Sequence, residues 1–219
     1  MNRWLYSLIL SILVFSCIED RIFPNPGIEN PKPEPGKYGI NSVFINEFIA
    51  SACKSSEVSN GSCLGIISSF YSPTESRNGK WVELYNPADT TINLGSGQWF
   101  ITDDTSAKDK FRIPKGTFIP SKNFLVVCCD NSPNLPADRQ LHANFSLGRY
   151  SGDVAVYYKT ASGSDSIFVK VNEIQYVSGC AQVPAYDSTA RHISYGRQPN
   201  GNGGPFSRLS TATPGKSNN

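Results

Sequence analysis

The chain reads as an all-β sandwich, and three observations predict it. Glycine and proline are abundant (18 and 15 residues) beside many Ser, Thr and Asn, while only 17% of residues are charged. That is the profile of short strands joined by many turns. No long stretch carries apolar residues at helical spacing. Eight or nine short apolar or alternating segments recur instead, at the interval expected of a sandwich, with turn residues between them and no fixed-period repeat.

The segments follow in order. "VFINEFIA" (43–50) has strand composition. In "KWVELYN" (80–86), Trp81, Glu83 and Tyr85 point one way and Val82 and Leu84 the other, so Val82 and Leu84 are expected in the core. Pro87 ends that strand because it cannot donate to a ladder. "TINL" (91–94) and "QWFITD" (98–103) flank a Gly-Ser-Gly turn. "DKFRIP" (109–114), "GTFIP" (116–120) and "NFLVVCC" (123–129) follow. "DVAVYYKT" (153–160) and "SIFVKVNEIQYV" (166–177), separated by "ASGSD", read as a hairpin, and "HISYGR" (192–197) as a late edge strand.

The N-terminus is of another kind. Arg3 precedes an apolar stretch from Trp4 to Phe15. As a helix it would be about 18 Å long at about 1.5 Å per residue, too short for a hydrocarbon core of about 30 Å. A positive start, a short apolar run and the small Ser16 describe a secretory signal. "VFSC" (14–17) resembles the lipobox of bacterial lipoproteins, in which the cysteine is acylated and becomes the first mature residue. Phe15 departs from that pattern, where a smaller residue is usual. Ile18 resembles the residue found in lipoproteins released from the inner membrane, and Glu19–Asp20 the acidic tether of some surface-exposed ones. The resemblance implies a signal peptide over 1–16, lipidation at Cys17, and an exported protein anchored to the outer membrane, with the cell surface as one destination. Two or more acyl chains anchor stably where one does not. Residues 17–38, with Pro24, Pro26, Pro31, Pro33 and Pro35, read as a Pro-rich linker. The domain is expected over 39–219.

Taken in order, the pieces of that domain resemble the lamin tail domain family. "INEF" (45–48) is similar to its opening strand, and "WVELYNPADTTINL" (81–94) to its most telling signature. "WFITDD" (99–104), "FRIPKGTFIPSKNFLVV" (111–127), "FSLGRYSGDVAVYY" (145–158), "SYGRQPNG" (194–201) and "TPGKSN" (213–218) resemble its later strands and ending. The resemblance implies an immunoglobulin-like sandwich with a protein-binding, interaction role and carries no catalytic set, and the domain is expected to be a non-catalytic interaction module for protein or polysaccharide. Two segments depart from the pattern: a long insertion over 50–79 and a lengthened stretch around Asn131–Leu141. Loops on a rigid sandwich are where function usually sits.

Side-chain chemistry narrows the reading further. With a formal charge of +2 the chain has no strong basic excess, so no nucleic-acid binding is expected. With Cys17 lipidated, five of the six cysteines remain in an oxidising compartment, and Cys53 and Cys63 are a disulfide candidate inside the insertion. They would close a loop of about 11 residues, worth roughly 3 kcal/mol in the chain-entropy account. Cys128 and Cys129 are adjacent on a strand and face opposite ways. One of them could reach Cys180 while the other stays buried and reduced. With two histidines and no Cys-x-x-Cys, no metal site or cofactor is expected. His142 and His192 read as surface residues, and no G-x-S-x-G elbow is present.

Several rival readings stay open. Asp103, Asp104 and Asp109 around one turn could offer oxygens to calcium, although Asp in turns more often bonds its own backbone. Glu47 and Glu83 need partners if buried; a structural role or exposure outweighs a hydrolytic dyad. The glycine-rich "GRQPNGNGGPFSR" (196–208) reads as a flexible loop rather than a nucleotide cradle. Trp99, Tyr150, Tyr157, Tyr158 and Phe70–Tyr71 could form a stacking surface, with about half of them expected in the core. The alternative to an interaction module is an exported hydrolase or nuclease accessory protein, calcium-dependent in one version, with its site in the insertion.

Overall fold

A computed structural model describes residues 18–19, 38–50, 79–133, 141–148, 151–162, 165–177, 194–201, 203 and 206–218. They form the expected all-β sandwich. One sheet has five strands in the order β1 (Ile18–Glu19), β11 (Asp165–Val177), β10 (Ser151–Ser162), β5 (Trp99–Thr102), β6 (Phe111–Arg112). The other has six: β13 (Phe206–Arg208), β12 (Tyr195–Arg197), β2 (Phe44–Ile49), β3 (Trp81–Tyr85), β8 (Phe124–Cys128), β9 (Leu141–His142). A two-stranded ladder, β4 (Ile92–Asn93) with β7 (Phe118–Ile119), completes the fold.

The alternation in 81–85 behaves as expected. Val82 and Leu84 lie in the core, with Trp81, Glu83 and Tyr85 on the outer face. The core draws Ile45, Phe48, Val127 and Cys129 from the six-stranded sheet and Trp99, Ile101, Val154, Val156 and Ile174 from the five-stranded one. Trp99 is completely buried and its ring meets those of Tyr38 and Tyr158 at 4.8 and 5.1 Å.

Two bulges set which residues face in. In the β2–β3 pair, Ile45 opposes Leu84 and Glu47 opposes Glu83, so Asn46 is the extra residue. The insertion changes the phase of β2: Val43 and Ile45 face the core before it, Phe48 and Ala50 after it. Glu47 and Ile49 are thereby turned outward. In the β10–β11 hairpin, Val156 opposes Asn172 and Tyr157 opposes Lys170, leaving Val171 extra. Asn172 points inward there and ties the sheets together: its Oδ1 accepts the Ile45 amide at 3.0 Å, and its Nδ2 donates to Asn41 Oδ1 at 3.0 Å.

Three expectations change. The segment 192–197 was expected at an edge, but β12 lies inside the sheet because β13 pairs on its far side. Part of the stretch expected as a flexible loop is therefore strand. At the start of the expected linker, Ile18 and Glu19 pair with Tyr176 and Gln175 along β11, whose outer edge would otherwise leave backbone groups open. Cys17, the insertion residues 51–78 and Cys180 lie outside the described residues, as do the signal peptide and most of the linker. So do Cys53 and Cys63.

Candidate functional site

The outer face of the five-stranded sheet carries one cross-strand row. Arg112 on β6 opposes Phe100 on β5, Phe100 opposes Tyr157 on β10, and Tyr157 opposes Lys170 on β11. Phe168 packs edge-on against the Phe100 and Tyr157 rings at 5.4 and 6.3 Å. The Arg112 guanidinium lies over Phe100 at 5.5 Å and the Lys159 ammonium over Phe168 at 5.3 Å. Lys170 is held by Glu173 at 2.5 Å. Phe100 and Tyr157 are buried, so what reaches solvent is the cations and the half-buried Phe168 above them. Burial raises the Tyr157 hydroxyl pKa to about 12, helped by the nearby Glu173, so the phenol stays neutral. The face is an aromatic base with Arg112 and Lys159 over its rings, and these two present positive charge beside the Lys170–Glu173 pair.

Of the aromatic residues singled out in the sequence, Trp99 and Tyr158 belong to the core and Tyr157 to this face. Tyr150 and Phe70–Tyr71 lie outside the described residues. Phe100 and Phe168 were missed, although alternation in "QWFITD" and "SIFVKV" carries the signal.

The outer face of the six-stranded sheet is built differently. The C-terminal segment crosses it, and Ala212 packs on Ile49, Trp81 and Val126. The Thr213 amide and hydroxyl donate to the Glu47 carboxyl at 3.0 and 2.7 Å. The Gly215 amide donates to Glu83 Oε2 at 2.5 Å, and Asn46 Nδ2 to Glu83 Oε1 at 2.9 Å. Asn46 Oδ1 accepts the Gly201 amide at 3.0 Å. Asn218 Nδ2 donates to the carbonyls of Asn46 and Arg197 at 3.2 and 3.0 Å.

Both carboxyls are buried and directly opposite one another across the strands. Burial raises the pKa of Glu83 to about 8; donors from Asn46 and Gly215 oppose the rise and repulsion from Glu47 adds to it. Burial likewise raises that of Glu47, against the pull of Ser194 and Thr213. The Ser194 hydroxyl acts there as a nearby dipole, since its geometry falls short of a hydrogen bond. Glu47 and Glu83 are thus structural: each is committed to backbone of the C-terminal segment rather than to an open cleft.

The acidic turn is also self-contained. Asp104 Oδ1 accepts the Ser106 amide and hydroxyl at 2.9 and 2.6 Å, and these bonds hold its carboxyl below the usual range. Asp103 pairs with Lys110 at 2.6 Å. Asp109 is exposed. Among the described residues no group of three His, Cys, Asp or Glu side chains is arranged to hold a metal ion.

His142 departs from its expected surface position. It is buried on β9, with Nδ1 2.8 Å from Asp130 Oδ2. The parallel β8–β9 pairing sets Cys128 opposite His142 on the same outward face. Cys, His and Asp are the residue types of a thiol nucleophile with its base and orienting acid, but here Cys128 is fully buried. Sequence reasoning missed the pairing because a two-residue strand leaves no periodic signal. Cys129 is a reduced thiol in the core, where burial pushes its pKa well up. His192 lies outside the described residues. Compared with known proteins, the chain matches no family model and no curated relative.

Proposed function

We propose that the chain is an exported lipoprotein, anchored to the outer membrane through Cys17, whose lamin-tail-like sandwich is a non-catalytic interaction module for protein or polysaccharide. The observation that carries the reading is the Arg112–Phe100–Tyr157–Lys170 row with Phe168 and Lys159 over it. Rigid aromatic support with cations at the surface favours a partner bearing acidic groups. The commitment of Glu47 and Glu83 to the C-terminal segment supports a non-catalytic role. The lipid anchor rests on the "VFSC" resemblance.

Two experiments test it. Cys17→Ala should move the protein from the membrane to the soluble fraction; continued membrane association would refute lipid anchoring. The full chain, screened on acidic and neutral glycans and on acidic peptides, should bind an acidic probe and lose at least tenfold in affinity with Arg112→Ser and Lys159→Ser combined. The rival hydrolase or nuclease-accessory reading places its site in the insertion, outside the described residues. Calcium-dependent turnover in a hydrolase and nuclease panel would replace the binding reading.

A further inference from the structure

The chain on either side of the Pro-rich segment is tied to the same strand. Before it, Ile18 and Glu19 pair antiparallel with Tyr176 and Gln175 on β11. After it, the Asn41 amide donates to the Val171 carbonyl at 2.7 Å, and Asn41 Oδ1 accepts Asn172 Nδ2 at 3.0 Å. Gln175 and Val171 lie about 13 Å apart along β11, at about 3.3 Å per residue. Residues 20–37 connect the two ties. In polyproline geometry, at about 3.1 Å per residue, they would reach roughly 55 Å, yet the chain leaves β11 and returns to it.

The first tie fixes where the anchor must be. Ile18 is bonded directly to Cys17, so their Cα atoms are about 3.8 Å apart. Ile18, Tyr176 and Gly152 form one cross-strand row, about 10 Å wide at two strand spacings of about 4.8 Å. Cys17 is therefore held at the C-terminal end of β11, close to Ser151 at the start of β10.

We propose that the sandwich sits directly on the bilayer by this end, and that residues 20–37 add nothing to its height above the membrane. The proposal rests on acylation of Cys17. A two-residue pairing is weak alone, but the tie at Asn41 makes its formation intramolecular, at an effective concentration set by the connecting chain. It also occupies ladder groups that an open edge leaves unpaired. The candidate binding face is set back from the anchored end: Phe168, opposite Lys159, lies about 26 Å from Tyr176 along the strand.

Energy transfer to the bilayer measures the seating. The protein is purified from membranes with a fluorescent coumarin amino acid in place of the exposed Ser151. It is reconstituted in phosphatidylcholine vesicles that carry an acceptor dye on the lipid headgroups, after its intact mass has been checked for acyl chains. A Gly-Ser insert of about twenty residues, with an r.m.s. length of about 25 Å, is placed either after Gly27 or between Cys17 and Ile18. Transfer should be strong in the chain without an insert and unchanged by the insert after Gly27. The same insert before Ile18 should lower it at least twofold. Weak transfer without an insert, or the same response to both inserts, would overturn the seating and leave the anchor standing. A mass lacking acyl chains would refute the anchor and the seating with it. The chain without an insert can overturn the proposal by itself, so the test holds even if an insert disturbs the sheet.

Discussion

The two outer faces of this sandwich are finished by opposite means. On the five-stranded sheet, side chains of neighbouring strands cover one another: Phe168 caps Phe100 and Tyr157, and Arg112 and Lys159 lie over the rings. On the six-stranded sheet a separate piece of chain does the covering, and it is fastened by polar bonds between residues far apart in sequence, such as Glu47 and Thr213. The first face depends on dispersion and on partly solvated cations, so its parts are individually weak and nearly independent. The second depends on buried donors and acceptors that satisfy one another, so removing one partner strands another.

The comparison can be broken first from the core that both faces share. Trp99→Ala should cost about 3–5 kcal/mol in denaturant unfolding, because it empties a fully buried aromatic site. It should destabilise both faces alike. Glu47→Ala acts on one face only. It leaves the Thr213 amide and hydroxyl without their acceptor, at about 1–3 kcal/mol. That cost should shrink as pH rises above the ordinary carboxyl range, because the raised carboxyl pKa makes the native protein's own gain vanish in that direction. A cost that grew with pH would contradict the assignment.

Gly196→Ala probes the same seam by crowding. A Cβ there would stand 2.4 Å from Asn218 Nδ2 and 2.8 Å from Leu209 Cδ1. It should cost about 1–3 kcal/mol and raise exchange at the Asn218 amide. On the opposite face Phe168→Ala should cost about 1 kcal/mol, equal at pH 6 and pH 9. The smallest effect belongs to the exposed Lys122–Asp89 pair at 3.1 Å. Lys122→Ala should leave the melting temperature unchanged within error. A pH-dependent loss at Phe168, or a pH-independent one at Glu47, would erase the distinction between the faces.

Much of the fold is legible in the residue pattern alone. The alternation in 80–86 places Val82 and Leu84 inside and Trp81 and Glu83 outside, as found. The long hairpin is visible as two β-rich runs around a turn. The candidate binding face is half legible: Tyr157 stands out in the sequence, and its partners follow from alternation once β5 and β10 are known to be neighbours. The His142–Asp130 pair and the β13 strand are not legible. Each rests on a segment of two or three residues, too short to show a period.

By itself, then, the sequence determined the strands, their turns and the inward set within each uninterrupted run, because a side-chain period of two is a local property of extended backbone. Only the tertiary structure decided the phase of β2, where the bulge at Asn46 turns Glu47 and Ile49 outward. It alone decided that Glu47 and Glu83 lie buried beneath residues 213–218 rather than in solvent. An extra residue in one strand is visible only against its partner. A carboxyl's partner, when it lies far away in the chain, is set by how the whole chain closes on itself.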